Sequence, residues 1–244
     1  MTRRWRALHR AGDWRAVFAK TYLRTTEEIL AAVMEGGLFE NPPWIVELDC
    51  EFARRYFDAF DLHERRGECP GPWQLAFSSA IAKRTLIIQD VLLGMNAHIN
   101  YDLPYSLRTT IPTGIADEEL DVYRRDNLVL NVVLATSIDV VQREVADEYD
   151  FLLNAADAAL CDSDEMFAGE MIRAWRARSW NSYLVLRNSD LAAPAERLIE
   201  ESAVDNALLL LQVQRAFPAL HWPNRLWRDT LGGISRRRRP FPQL

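Results

Sequence analysis

Glycine and proline are scarce in this sequence, with 10 and 11 residues among 244. A β-sandwich needs a turn about every 8–12 residues, and turns draw heavily on both residue types. Alanine, leucine, arginine and glutamate, which favour helices, are abundant instead. The composition therefore predicts an all-α protein. The lack of internal repeats and long linkers in the sequence indicates a single domain, residues 1–244.

Cysteine is rare as well, since Cys50, Cys69 and Cys161 are the only three and lie far apart. The sequence contains no CxxC pair, so it indicates neither a disulfide framework nor a thiolate zinc site. This usage favours a reducing compartment, and we expect a cytoplasmic protein. The net charge of −6 argues against general nucleic-acid binding, because phosphates are neutralised by basic surfaces.

Long hydrophobic runs are also missing. The most apolar stretch, Leu86 to Met95, is interrupted by Gln89 and Asp90 and is shorter than the roughly 20 residues that span a bilayer. The paired arginines Arg3 and Arg4 are not followed by an apolar run, so the sequence indicates no secretory or twin-arginine signal. We therefore expect no membrane association.

The common catalytic and cofactor motifs do not occur. The sequence lacks GxGxxG, GxxxxGK[ST], GxSxG, HExxH and the paired ExxH motifs of di-iron bundles. Its four histidines lie far apart, which argues against a histidine-rich metal site. We expect no bound cofactor.

Apolar residues recur at helical spacing in six segments, which we predict to be helices. Gly36 suits the end of the first helix, and Asn41 suits the start of the second. The segment from Val129 to Val141 is rich in β-branched residues, so a strand is the alternative there, although its apolar spacing favours a helix. The predicted core is about residues 14–216 with a tail of 217–244, and the helices span about residues 14–34, 42–64, 73–100, 117–148, 167–188 and 194–215.

The third segment, about residues 73–100, carries apolar residues in nearly every direction around its helical axis. A helix of this kind is normally buried on all sides. We therefore predict a helical bundle around this central helix. The helix should end before Pro104, because the residue before a proline avoids helical dihedrals. The longest loop should then run from Pro104 to Ala116.

Polar side chains cluster at the end of this apolar segment. His98 and Asp102 are four residues apart, which stacks them on one helical face, and Asn96 and Asn100 repeat the spacing on a neighbouring face. A carboxylate beside an imidazole orients the ring and stabilises its charged form, which suits a general base or a metal ligand. The alternative is structural, with these side chains bonding free carbonyls at a helix end.

Asp49 and four aromatic residues are further candidates for the same site. Asp49 lies beside the apolar stripe of the second helix and could face His98, although a solvent-facing position is the alternative. A metal site would combine Asp49 with His98 and Asp102. Aromatic side chains could line a substrate pocket or belong to the plain core. The predicted substrate-binding residues are Asn96, Trp73, Tyr101, Tyr123 and Trp175.

The run LLGMNAHINYDL, from Leu92 to Leu103, resembles the signature of a bacterial, largely actinobacterial, family known only as a domain of unknown function. Four other segments resemble the same family, so the resemblance covers about residues 14–190. It implies a helical domain and brings no established reaction. These segments are residues 18–23, 48–53, 72–73 and 172–180.

Three functions are compatible with these observations. The first is an enzyme of secondary metabolism, of cyclase, isomerase or hydrolase type, that acts on an apolar small molecule with His98 as acid or base and Asp102 as its orienter. The second is a non-catalytic helical module that binds an apolar ligand or a partner helix. The third is a mononuclear metal-dependent hydrolase, which needs a third ligand near His98.

Overall fold

The computed structural model describes residues 1–65, 69–83, 85–149 and 163–216, and within these ranges all regular structure is helical and no strand occurs. The all-α prediction is therefore confirmed. Cys161 and the predicted tail, residues 217–244, lie outside the described residues. The helices are α1 (Thr2–Ala11), α2 (Ala16–Glu35), α3 (Pro42–Glu64), α4 (Gly71–Ala82), α5 (Ile87–Asn96), a π-helical turn (Ala97–Asp102), α6 (Leu103–Thr110), α7 (Asp117–Tyr149), α8 (Ser163–Leu186) and α9 (Ser189–Ala216).

Helix boundaries follow local capping chemistry. The Asn41 side chain accepts a hydrogen bond from the Trp44 backbone N–H at 3.3 Å, and prolines occupy the first positions of α3. α2 ends at Gly36, whose φ of 79° disfavours residues with a Cβ. Both predicted boundaries are confirmed. α1 was not predicted, although Trp5 and Leu8 on it belong to the core.

The third predicted helix is wrong as a single element. It is divided at Lys83, whose φ of 54° ends α4, and it changes from α- to π-helical geometry at Ala97. The chain also remains helical through Pro104, so α6 occupies most of the predicted loop, which shortens to residues 111–116. Proline is tolerated there because it lies in the first turn of α6.

The later helices are longer than predicted. α7 is one helix over the whole β-branched stretch, so the strand alternative is wrong there. α9 begins at Ser189 and contains Pro194, which we expected near its start. Because proline ends or kinks helices in general, the predicted helix began at Pro194, five residues after the observed start. None of the helices in the described ranges has both the length and the hydropathy that a membrane crossing requires.

α5 is buried on one face and half-buried on the other. Ile87, Leu93 and Gly94 are packed into the core. The opposite face is apolar too, but it lines a cavity through Ile88, Val91, Leu92 and Met95. We took the apolar residues in every direction to indicate burial on all sides. Instead, one face of α5 packs into the core and the other lines the cavity.

Gly94 sets the distance between α5 and α2. A Cβ at this position would overlap the aromatic ring of Phe18 on α2. The Phe18 ring in turn lies edge-on to the His98 ring, with 5.9 Å between their centroids. The missing side chain at Gly94 therefore allows α2 to bring its aromatic residues against the π-helical turn.

Replacing Gly94 with alanine should destabilise the fold. Overpacking costs typically about 1–3 kcal/mol, which exceeds the about 1 kcal/mol that alanine gains over glycine inside a helix. The matched control is Gly169→Ala in α8, where the new Cβ would lie 3.6 Å from Ile138 Cδ1, an ordinary contact. Urea unfolding should show a lower free energy of unfolding for Gly94→Ala only. Equal stability of the two variants would contradict the close approach.

Candidate functional site

A cavity of about 150 Å³ lies between α2, α3, α5, the π-helical turn, α7 and α8. Isoleucine, leucine, valine, methionine and phenylalanine make up most of its wall. The hydroxyl groups of Thr21, Thr25 and Ser137 also line it, but each donates to a carbonyl of its own helix, at 3.1, 3.0 and 2.9 Å. The remaining polar groups of the wall belong to Tyr22, Asp49, His98 and Arg176.

The π-helical turn places His98 on this wall and pairs it with Asp102. His98 Nδ1 lies 3.0 Å from Asp102 Oδ2, and both side chains are buried. Trp73 Nε1 on α4 donates to the same carboxylate oxygen at 2.9 Å. Single π-helical turns are often found at functional sites, and this one coincides with the predicted candidate segment.

Burial governs the protonation of the pair. Desolvation lowers the pKa of the His98 imidazole well below its usual value. It also raises the pKa of the Asp102 carboxyl, against the opposing hydrogen bond from Trp73. His98 is therefore uncharged at neutral pH. We assign its proton to Nδ1, because Asp102 Oδ2 accepts there, which leaves a lone pair on Nε2.

Aromatic rings enclose the imidazole. Phe52 is stacked on it with 3.3 Å between ring centroids and 6° between ring planes, and Tyr22 lies edge-on at 4.3 Å. Within the described ranges, His98 Nε2 has no hydrogen-bond partner, and neither does the hydroxyl group of Tyr56. The Nε2 lone pair is therefore unpaired, and His98 lies on the cavity wall.

Asp49 lies on the same cavity wall, contributed by α3. Burial raises its pKa to about 6. Burial is the largest cause of the raised pKa of the Tyr22 phenol. The charge of Asp49 is the second cause, and the charge of Asp102 is the third. Asp49 is therefore near Tyr22, which contacts His98, so two of the predicted site residues share one wall.

The predicted asparagines serve a different surface. Asn100 Nδ2 donates to Asn96 Oδ1 at 3.0 Å, and Asn96 Nδ2 donates to the Ala203 carbonyl of α9 at 2.8 Å. Asn100 also borders a second cavity, of about 270 Å³, between α8 and α9. The structure therefore separates Asn96 and Asn100 from the cavity that His98 lines.

Aliphatic residues, rather than the predicted aromatic ones, line most of the first cavity. Tyr123 packs on Trp44, with ring centroids 5.0 Å apart, and Tyr101 packs on Tyr105 at 5.3 Å. Trp175 packs against the core cluster of α3, α6, α7 and α8. Trp73 acts through Asp102. The expectation that these four rings line the pocket is thus corrected, because their area is used in helix packing.

Arg176 is a site residue that the sequence analysis missed. It lies on α8, is only 4% exposed and lines the cavity. Its position along the helix could have revealed it, because Arg176 shares a helical face with Ile172 and Tyr183, which are both buried. The neighbouring Arg173 and Arg178 fall on the exposed face.

The described residues contain no group of three His, Cys, Asp or Glu side chains that could hold a metal ion. Asp49 does not join His98 and Asp102 in such a group. The metal-dependent alternative needed a third ligand beside His98, and the described residues do not provide it.

The stability of the protein should depend on pH through Asp49. Its folded-state pKa is about 6, above the ordinary value of 3.8. The protonated carboxyl therefore contributes stability that is fully present below pH about 4 and is lost as pH rises through about 6. We expect Asp49→Asn to match the wild type at pH 4 and to exceed its free energy of unfolding at pH 8 by up to about 3 kcal/mol.

The control for this measurement is Glu47→Gln, which removes an exposed carboxylate from the same helix. Urea unfolding of all three proteins at pH 4, 6 and 8 gives the comparison. An Asp49→Asn curve parallel to the wild-type curve over this range would show that Asp49 is solvated.

No curated protein and no solved structure is detectably similar to this chain. Residues 1–213 match the model of a Family of unknown function (DUF5995). Because the match covers most of the chain, this protein belongs to that family of unknown function.

Proposed function

We propose that this protein is an enzyme that transfers a proton on a small apolar substrate, with His98 as the general base. One observation carries the proposal. His98 Nδ1 is bonded to the buried Asp102, whereas Nε2 has no partner among the described residues, and the ring lies on the wall of an apolar cavity.

The chemistry follows from the protonation of the pair. An uncharged imidazole can accept a proton at Nε2, and its lowered pKa keeps it uncharged at neutral pH. Asp102 holds the ring in the required tautomer, and its ionised form stabilises the imidazolium that forms. Trp73 fixes the carboxylate through its 2.9 Å hydrogen bond. Asp102 and Trp73 are thus positioning residues.

Among the three reaction types expected from the sequence, this wall favours an isomerase. Asp49 and His98 are two proton carriers with different surroundings on one cavity. One group can remove a proton from the substrate while the other returns a proton at a second position. Such a reaction requires no water, which suits a wall that is mostly apolar.

A non-catalytic binding role is the second candidate. It is favoured by the Phe52 ring, which covers one face of the imidazole at a centroid distance of 3.3 Å. In that role, the cavity would hold an apolar ligand and the pair would only complete the core. The cytoplasmic location, the actinobacterial origin and the part in secondary metabolism stay predictions from the sequence.

Replacing His98 with glutamine should abolish proton abstraction in the cavity. A suitable probe is 5-nitrobenzisoxazole, because loss of its C3 proton to a base forms a nitrile, breaks the N–O bond and releases a coloured phenolate. General-base catalysis typically contributes about 10²–10⁴-fold. We expect the absorbance-monitored rate of the wild type to exceed that of His98→Gln by a factor in this range.

His63→Gln is the control, since His63 lies on α3 away from the cavity wall, and it should keep the wild-type rate. Circular dichroism melting of both variants separates loss of the base from loss of the fold. A wild-type rate equal to that of His98→Gln, with both proteins folded, would leave the binding role as the better explanation.

A further inference from the structure

Arg176 is a buried cation whose partners in the described residues are all neutral. Its Nε donates to Asn131 Oδ1 at 2.8 Å, and its Nη2 donates to the Asn127 side chain at 2.7 Å and to the Asn127 carbonyl at 3.1 Å. Asn127 and Asn131 are four residues apart and so share one face of α7. This face holds the guanidinium in a fixed orientation.

No carboxylate in the described part of the chain neutralises this charge. The acid nearest to Asn127 in the sequence is Asp126, which accepts hydrogen bonds from the backbone of Glu40 and Asn41 at 2.8 and 2.7 Å. Burial lowers the pKa of Arg176 to about 10, so the group still carries its charge at neutral pH. Buried charges are normally paired, because removing an ion from water is costly.

One edge of the guanidinium has no hydrogen-bond partner among the described residues. Nη1 has no hydrogen bond within the described ranges, whereas Nε and Nη2 are engaged. Arg176 lines the same cavity as His98. A carboxylate is the group that matches a guanidinium edge in geometry and charge. An anionic ligand in the cavity would therefore supply the counter-charge that the chain itself does not.

We propose that the substrate of this cavity is a small apolar carboxylic acid whose carboxylate is bound by Arg176. The proposal rests on the proposed function in taking the cavity as the substrate site. The apolar wall then holds the hydrocarbon part of the acid. An apolar cavity of about 150 Å³ accommodates a molecule of benzene size, which indicates an acid whose hydrocarbon part has about six carbon atoms.

The test compares benzoate with benzamide, which has the same shape and no charge, by isothermal titration calorimetry at pH 7.5. Hexanoate and hexanamide form a second pair with a flexible chain. Hydrogen bonds to charged groups contribute about 1.5–3 kcal/mol, so each acid should bind the wild type about 10- to 100-fold more tightly than its amide. Equal affinity within both pairs would overturn the proposal.

Two variants test whether the preference for the acid depends on the charge of Arg176. Arg176→Met removes the charge at similar side-chain length, and Asn127→Asp places a carboxylate 2.7 Å from Nη2. Both should reduce the preference for the acid to less than threefold. Asn127→Asp should also raise the melting temperature, because it pairs the buried charge. Asn127→Asp therefore still tests the proposal if Arg176→Met does not fold. A preference retained in folded Asn127→Asp would place the anion elsewhere.

Two controls complete the design. Arg178→Met removes an exposed arginine of the same helix, which bonds to Ser202 and borders the second cavity, and it should bind benzoate as the wild type does. His98→Gln should also keep the preference for the acid. If benzoate binding depends on Arg176 but proton abstraction does not depend on His98, the proposed reaction fails while the ligand class stands.

Discussion

Three buried polar groups in and next to the π-helical turn form hydrogen bonds with other helices, and the arrangement of the molecule depends on these bonds. Trp73 of α4 donates to Asp102, Asn96 donates to the Ala203 carbonyl of α9, and the Ser179 hydroxyl of α8 donates to the Ile99 carbonyl at 2.6 Å. An unsatisfied buried polar group costs about 1–3 kcal/mol. These three helices are therefore held around the turn by hydrogen bonds as well as by apolar packing.

Pro104 explains why one of these bonds is needed. In the turn, the Leu103 backbone N–H donates to the His98 carbonyl five residues earlier. The next N–H in that pattern would come from residue 104 and would reach the Ile99 carbonyl, but proline has no N–H. The Ser179 hydroxyl takes its place. A helix can thus pass through a proline when another helix supplies the missing donor.

Sequence periodicity could predict the helices and the position of His98, because both depend on local spacing. It could not predict the π-helical turn or α6, since these depend on a donor from Ser179, about 80 residues away in sequence. Nor could it decide which aromatic residues line the cavity. That depends on helix packing, which places Tyr123 against Trp44 and leaves the wall to aliphatic residues. Arg176, in contrast, was missed although it could have been predicted, because its helical phase alone indicates an inward position.

The change from α- to π-helical geometry also makes the site sensitive to chain length. A π-helical turn uses about one residue more than an α-helical turn, and one residue corresponds to a rotation of roughly 100° about the helix axis. α5 can therefore direct Asn96 towards α9, while the following turn directs Asp102 towards α4. Loss of a single residue between Ala97 and Asp102 would rotate the two groups of contacts relative to each other, even if every remaining side chain were kept. The spacing of this segment is thus as much a part of the site as its residue types.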